Sequence, residues 1–562
     1  MRSTVRCIAL LVFVLTPVLA SAQTSAISGT VKDASGGVLP GVTVEVSSPV
    51  LIEKTRSTVT SGSGTYSIVA LRPGTYTVKF ELPGFSTVVR EGVELTSDFT
   101  ATINADLKVG ALEETLTVTG ESPIVDTSSI TQRVVMTAEV REALPTGRNI
   151  QAVGIMIPGT TLAVGGGGAL SRDVGGSGNL QQSPLQYRGS GDTVQTGGGI
   201  RLNNLSAQGG YSGVYWNDAS FEEFSYVTGA DSAEMGQGGM RVNMVPRDGG
   251  NSFRGTATFN YAGEGFQSDN CGSPGLGQAC SRSNLQGSKT FNPNNYITNV
   301  DVIQKIWDVN PSVGGPIVKN KIWFNYTFRN LGSTKTKTGA YFDKNPSQFI
   351  YDPDFTKPGL DDGHITSNAA RISWQVSGKD KISVYHDNQR KYRNHWGIAA
   401  NVPPEAAGVE VTPTSFAHVS KWTRTHTNKL LLEAGFGMYD QEYTELYQAS
   451  VTGTDKKVWD EEAIRNSRIY NVVDTSNNTN ANAWPNPADH FSVLRTFMGA
   501  ASYIVGAHSF RGGLTWTNGD WKLLTMWTGD VQPINYNAGN PLSVRLQLPS
   551  DRNNGVDRVL GG

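Results

Sequence analysis

The sequence predicts a mainly β protein that leaves the cytoplasm. A small β-sandwich comes first, then a stretch of mixed α and β character, then strands of a transmembrane antiparallel β-barrel. Three observations carry this prediction. The first residues have the order of a cleavable export signal. The next hundred or so, roughly, are short β-prone runs punctuated by glycine and proline turns. The second half repeats a hairpin in which apolar and polar faces alternate at period two, with short turns at one end and long polar segments at the other.

The N-terminus carries Arg2 and Arg6, an apolar run from Cys7 to Leu15, and Ala20-Ser21-Ala22 before Gln23, which places a signal peptide over 1–22 with cleavage between Ala22 and Gln23. The apolar run is shorter than the roughly 20 residues needed to span a bilayer. No later stretch offers an uninterrupted apolar span of that length, so any membrane crossing is made by strands. At 562 residues with 64 glycines, 38% hydrophobic residues and a mean hydropathy of -0.29, the chain is neither a helical membrane protein nor a disordered one. A net charge of -2 and a pI near 6.4 give no basic face, which excludes a nucleic-acid partner. Of the three cysteines Cys7 leaves with the signal, and Cys271 and Cys280 in NCGSPGLGQAC are expected to close a surface loop as one disulfide. No histidine or second cysteine pair lies near them to make a zinc site.

Over 23–109 the expected strands are Ile27 to Val31, Val42 to Val46, Ser57 to Thr60, Tyr66 to Val69, Tyr76 to Phe80 and Val88 to Leu95, separated by turns such as Arg72-Pro73-Gly74. This spacing suggests a small sandwich. The runs ISGTVKDASGGVLPGVTVEV and GTYSIVALRPGTYTVKFELPGF resemble the carboxypeptidase-regulatory-like domain, a transthyretin- or starch-binding-like sandwich. The family name does not imply peptidase activity, because this stretch holds no histidine and no metal constellation. The resemblance associates the sandwich with carbohydrate binding, although Tyr66, Tyr76, Phe80 and Phe85 read as core residues rather than sugar platforms.

A linker follows over 110–122, GALEETLTVTGES, with β-prone Leu116, Thr117 and Val118 behind Glu113 and Glu114. Its segment Glu114, Thr115, Leu116, Thr117, Val118, Thr119 resembles the TonB box, which pairs with the energy-transducing protein TonB by strand addition. Next, MTAEVREALPTGRNIQAVGIMIPG mixes a helical pattern with stops at Pro145 and Pro158, and the low-complexity zone from Gly165 to Gly199 reads as irregular loops. The residues Tyr215-Trp216-Asn217-Asp218, FEEFSYVTGADSAEMGQGG and RVNMVPRD resemble the α+β plug domain of TonB-dependent receptors, placed here at 123–250. Asn217-Asp218 stands where Asp-Gly is common and Pro246-Arg247 where Thr-Lys is usual. The proline variant and LPTGRN resemble the Oar-like branch, which has an N-terminal sandwich.

From 251 to 562 hairpin logic takes over. After a turn at Lys319, Asn320 and Lys321, one parity carries Ile322, Phe324, Tyr326 and Phe328 and the other Asn325, Thr327 and Arg329, with Trp323 the exception. The same alternation recurs at Ala257 to Tyr261, Ile372 to Val376, Leu430 to Met438 and Phe510 to Trp516. Ser333 to His364 and Tyr443 to Asp489 are read as long external loops, so the acidic pairs Asp361-Asp362 and Glu461-Glu462 fall in loops. Trp323, Tyr326, Trp374, Trp422 and Trp516 are candidates for an aromatic girdle. The count is about nine strands, whereas the plugged barrels the sequence resembles use about 22. Asp551 to Gly562 lack the alternation of a closing strand, so the chain is expected to hold the N-terminal portion of its barrel.

No catalytic, cofactor or metal constellation emerges: H-E-x-x-H, G-x-S-x-G and the P-loop are absent, and the seven histidines are scattered singly. The resemblance implies an outer-membrane receptor with its sandwich in the periplasm. It would import a ligand with energy delivered by TonB and its inner-membrane complex. The ligand is open among siderophore, oligosaccharide, peptide and protein, because long loops set specificity. An adhesin or signalling receptor on the same barrel, embedded in outer-membrane lipid, is the alternative reading. A secreted carbohydrate-active enzyme would need a catalytic site that the residues do not supply.

Overall fold

The computed structural model describes residues 25–51, 54–96, 99–110, 115–119, 132–144, 146–162, 182, 185–190, 193–203, 213–229, 239–266, 302–346, 350–427, 430–454, 458–476, 479–505, 508–538 and 540–561. The chain opens as a two-sheet sandwich. Its strands are β1 (Ser25–Asp33), β2 (Thr43–Ser47), β3 (Thr55–Val59), β4 (Thr65–Leu71), β5 (Gly74–Glu81), β6 (Thr87–Leu95), β7 (Thr100–Thr102), β8 (Ala105–Leu107) and β9 (Thr115–Thr119). One sheet runs β4-β1-β7 with β8 also on β1; the other runs β3-β2-β5-β6-β9. Alternate residues close the space between them: Val44, Val46, Tyr76, Val78 and Phe80 interdigitate with Ile27, Val31 and Tyr66. The Tyr66 hydroxyl donates to the carbonyl of Ile103 at 2.7 Å, which satisfies its one polar atom inside that core. Tyr66, Tyr76 and Phe80 are therefore core residues, and Phe85 packs partly buried against them.

A mixed sheet follows. Its elements are β10 (Gln132–Thr137), α1 (Ala138–Ala143), α2 (Ile150–Gly154), β11 (Thr160–Leu162), β12 (Leu185–Tyr187), β13 (Thr193–Gly197), β14 (Ile200–Arg201), β15 (Phe221–Gly229) and β16 (Met240–Pro246). The five-stranded order is β10-β15-β16-β13-β14, with β13 and β16 parallel. Two residues of the LPTGRN run explain its turn. Arg148 takes the left-handed conformation, and the Asn149 side chain accepts the Ala152 amide at 2.7 Å to cap α2. The expectation of irregular loops up to Gly199 is corrected here, because β13 is buried along its whole length inside the sheet. Its polar side chains are satisfied internally: Gln195 accepts the Trp216 indole at 2.8 Å, and Thr196 donates to Asn243 at 2.9 Å. A buried strand built from hydrogen-bonded Thr and Gln shows no apolar periodicity.

The largest element is a ten-stranded antiparallel sheet. Its members are β17 (Arg254–Gly263), β18 (Ile303–Val318), β19 (Ile322–Asp343), β20 (Pro353–Gln375), β21 (Asp380–Trp396), β22 (Gly408–Thr427) and β23 (Leu430–Leu446). After the short pair β24 (Val472–Asp474) and β25 (Thr479–Ala481), it continues with β26 (Ala488–Val505) and β27 (His508–Thr525). Beyond β28 (Val531–Asn537) and β29 (Asn540–Leu546) it ends in β30 (Ser550–Gly561). Each strand pairs with the next of the ten along the chain, and β17 and β30 are the outer strands of an open sheet. Residues 319–321 and 376–379 make short turns, β22 and β23 are two positions apart in sequence, as are β26 and β27, and the long connections follow the other ends of the strands. That is the loop segregation expected from the sequence.

Burial on these strands is inverted relative to a water-soluble sheet. On β19 the polar residues Thr327 and Arg329 are 0% and 3% exposed, whereas Tyr326 is 40% exposed, and on β20 Ile372 is 49% exposed against 1% for Ser373. Phe259, Tyr261, Trp374, Phe497, Phe510 and Leu514 continue the outward apolar band. Such a contiguous band is stable against hydrocarbon and costly in water. No helix among the described residues is long and apolar enough to cross a membrane, which says nothing of strands.

Two further expectations are corrected. Trp323 is 1% exposed and faces inward, donating its indole N–H to Asn251 at 2.9 Å, so it is no part of an aromatic girdle; Tyr326, Trp374 and Trp516 do face outward. Asp361 and Asp362 lie within β20, not in a loop, and pair with Arg393 and His395 across the β20-β21 ladder. β19 and β20 are 22 and 23 residues long, about twice what a bilayer crossing needs, and their polar extensions lose the apolar parity that marks a strand. Glu461 and Glu462 open a short helix, α3 (Glu461–Asn466), where acidic side chains suit the first turn. Asp551 to Gly561, which lack the alternation of a closing strand, pair with β27 within β30, an outer strand of the sheet.

Candidate functional site

The mixed sheet sits against the concave face of the ten-stranded sheet, and one apolar core spans both. Trp216, Phe221, Phe224, Tyr226, Val242 and Met244 from the mixed sheet pack with Ala369, Tyr385, Ala417, Val419, Tyr439 and Leu494 from the long strands. Close approach is built into the wall at two glycines of β23. A Cβ on Gly435 or Gly437 would meet Ile200 at 2.5 Å.

An ionic seam lies beside this core. Asp218, just after Trp216-Asn217, accepts Arg148 Nε at 3.0 Å and Asn310 Nδ2 at 3.1 Å, tying the turn before α2 to β18. Arg329 on β19 donates to both oxygens of Asp308 at 3.0 and 2.7 Å and to the Arg148 carbonyl at 3.1 Å. Arg141 on α1 donates to the carbonyls of Asp218 and Phe221 at 3.2 and 2.7 Å. Two strands along the same sheet, on β21, Gln389 brackets the Tyr215 backbone, accepting its amide at 2.7 Å and donating to its carbonyl at 2.9 Å. Lys391 bridges the Tyr215 hydroxyl and Glu410 at 2.7 Å each. Arg148 and Asp218 stood in sequence motifs without an assigned role, while Arg329 appeared only as one member of a polar face. Nothing in the sequence joins residues so far apart.

The sandwich meets this assembly at the short-turn end, through Asp248. That carboxylate lies between β16 and β17 and receives Arg371 at 2.7 Å, Lys381 at 2.8 Å and, from the β4-β5 turn of the sandwich, Arg72 at 3.3 Å; Ser373 also donates to it. A cavity of about 1160 Å³ opens beside this cluster, between Leu51 and Arg56 of the sandwich, Glu142 of α1 and Lys379 and Thr425 of the barrel turns. Burial alone would push the Asp248 carboxyl up, but Arg371, Arg72 and Lys381 outweigh it and hold it well below the usual carboxylate range. A depressed carboxyl contributes fully above its ordinary titration range and loses that contribution only as pH falls through the lowered value. With Asp248 ionised, the sandwich is therefore expected to stay docked at neutral and mildly acidic pH and to release only in stronger acid. Asp248→Asn is expected to weaken docking by ~2 kcal/mol or more at neutral pH, because three clustered cations lose their one anion. Energy transfer between a dye on the sandwich and one on the 376–379 turn reads both effects.

Of the residues singled out in the sequence, Thr115–Thr119 form β9, which lies parallel to β6 with Thr87 opposite Thr115 and Glu91 opposite Thr119. Glu114, Cys271, Cys280, Ala22 and Gln23 lie outside the described residues. No group of three or more His, Cys, Asp or Glu positioned for a metal ion occurs among the described residues.

Fold and seam together define a class: a long-stranded antiparallel sheet whose concave face holds a mixed α+β plug, preceded by a sandwich. Residues 26–108 match the carboxypeptidase regulatory-like domain. Over 347 residues the chain is 28% identical to the TonB-dependent transporter Oar of Myxococcus xanthus, covering 60% of this chain and 30% of that protein's length. It is also similar to two solved structures. One is the outer membrane transporter YddB from Escherichia coli, with 11% identity, a TM-score of 0.49, and coverage of 75% of this chain and 52% of that one. The other is the alcaligin outer membrane receptor FauA from Bordetella pertussis, with 12% identity, a TM-score of 0.41, and coverage of 78% and 60%. These three are named as transporters or receptors.

Proposed function

We propose that this chain is the plug-bearing portion of a TonB-dependent outer-membrane receptor that imports a ligand, and that it has no catalytic activity of its own. The observation that carries this reading is the inverted burial of the long strands around a plug sheet that hydrogen-bonds to the wall through Tyr215 with Gln389 and the Arg148 carbonyl with Arg329. Apolar side chains facing outward suit hydrocarbon, and a polar lumen filled by a plug suits gated passage rather than an open pore. The likeness to the Oar transporter supports the same reading.

The division we propose is a signal over 1–22, a periplasmic sandwich over 23–109, a coupling linker over 110–122, a plug over 123–250 and barrel strands from 251. Short turns then lie in the periplasm beside the sandwich, and the long connections face outward, where they meet the ligand. Siderophore, oligosaccharide, peptide and protein are all compatible with that site. Ligand binding makes the Glu114 to Thr119 segment available to TonB, and a pull on it, driven by the inner-membrane complex, draws on the plug.

The test is capture of the chain, solubilised in detergent, by the periplasmic C-terminal domain of TonB. Leu116→Pro and Val118→Pro each remove a backbone donor needed for strand addition and are expected to abolish capture. Capture unaffected by both prolines would remove the coupling role from this segment. Absence of capture for the unaltered chain would favour an adhesin or signalling receptor.

A further inference from the structure

We infer that the sandwich carries the coupling strand as the last strand of its own sheet and offers that strand's open edge to TonB, so that the partner's strand extends a sheet that is already built. This rests on the TonB-dependent reading proposed above and assigns the sandwich a role in it. The sheet order is β3-β2-β5-β6-β9, and β9 occupies its end. All five residues of β9 are in parallel register with β6, from Thr87 opposite Thr115 to Glu91 opposite Thr119. β6 in turn is held by β5 over Gly74 to Phe80, so β9 is seated on a strand that is itself paired on its other edge.

A strand has hydrogen-bonding groups along both edges, and β6 takes only one of them. The other edge of β9 pairs with no strand among the described residues. An unpaired edge already held in extended conformation is the substrate for β-augmentation. Fixing each backbone residue of a free peptide costs conformational entropy, and a segment held in place by a folded sheet has lost that freedom before the partner arrives. The sandwich can act this way because its core is self-contained: every residue of it lies between Ile27 and Leu107.

That independence permits a direct test on residues 23–122, with the free peptide 110–122 as the comparison. Calorimetry with the periplasmic C-terminal domain of TonB is expected to show about tenfold or tighter binding to the sandwich-bearing fragment. Hydrogen exchange is expected to show the β9 amides that face β6 protected in the free fragment, with the remaining β9 amides gaining protection when TonB binds. Equal affinity for fragment and peptide, or β9 amides unprotected in the free fragment, overturns the inference while leaving TonB coupling intact. Weaker binding by the fragment also overturns it, since the sandwich would then withhold the strand. Binding to neither would instead fail the TonB-dependent reading itself.

Discussion

Replacing Arg329 with Met is expected to destabilise the wall where β18 and β19 meet the plug by about 3–5 kcal/mol. Arg329 is almost wholly buried, holds both oxygens of Asp308, and reaches the Arg148 carbonyl while lying 4.0 Å from Asp218. Methionine fills part of the volume but leaves Asp308 buried without its bidentate partner. Arg329→Lys is expected to recover only part of the loss, because a single ammonium cannot match a planar fork. Urea unfolding of the chain in detergent, followed by plug tryptophan fluorescence, would measure the shift. A change below 1 kcal/mol, roughly the worth of an exposed pair, would mean that the seam is solvated and structurally idle.

Trp216→Ala is expected to cost a similar ~3–5 kcal/mol, for a different reason. Trp216 is 2% exposed, meets Phe221 edge to face at 5.9 Å between ring centroids, and donates its indole N–H to Gln195 at 2.8 Å. Alanine would leave a cavity where the plug core continues into the barrel wall. Trp216→Phe should cost less, about 1–3 kcal/mol, chiefly because Gln195 loses its donor. Trp374→Ala is the control, since that ring faces outward from β20. Both tryptophan losses measured by the same unfolding experiment would separate the inward core from the lipid face. Equal effects would contradict the assignment of the two faces.

The two faces were legible in the residues only as a period. Ile322, Phe324, Tyr326 and Phe328 against Asn325, Thr327 and Arg329 announce a strand with two unlike sides. Loop rhythm added which kind of sheet they build. The sandwich was also legible, since Val44, Val46, Val78 and Phe80 alternate strictly and turns such as Ser61 to Gly64 separate the runs. The plug was visible in its motifs but not in its sheet, because β13 is a run of Thr, Val and Gln whose burial is maintained by hydrogen bonds rather than by apolar contacts. Trp323 was misplaced because an aromatic on a barrel strand reads as a girdle residue unless its partner, Asn251, is known to sit beside it.

The charged contacts were not legible at all. Arg72 and Asp248 are 176 positions apart, and neither stands in a pattern that calls for the other. What the sequence by itself determined is the order of parts, the strand period and the turn positions, because those follow from local backbone and side-chain preferences. What only the tertiary structure decided is which face of each strand points inward, that β9 rests on β6, and that Asp248 gathers cations from three separate elements. Those outcomes depend on which surfaces exclude water from one another, and that is set when distant segments pack rather than by the segments themselves.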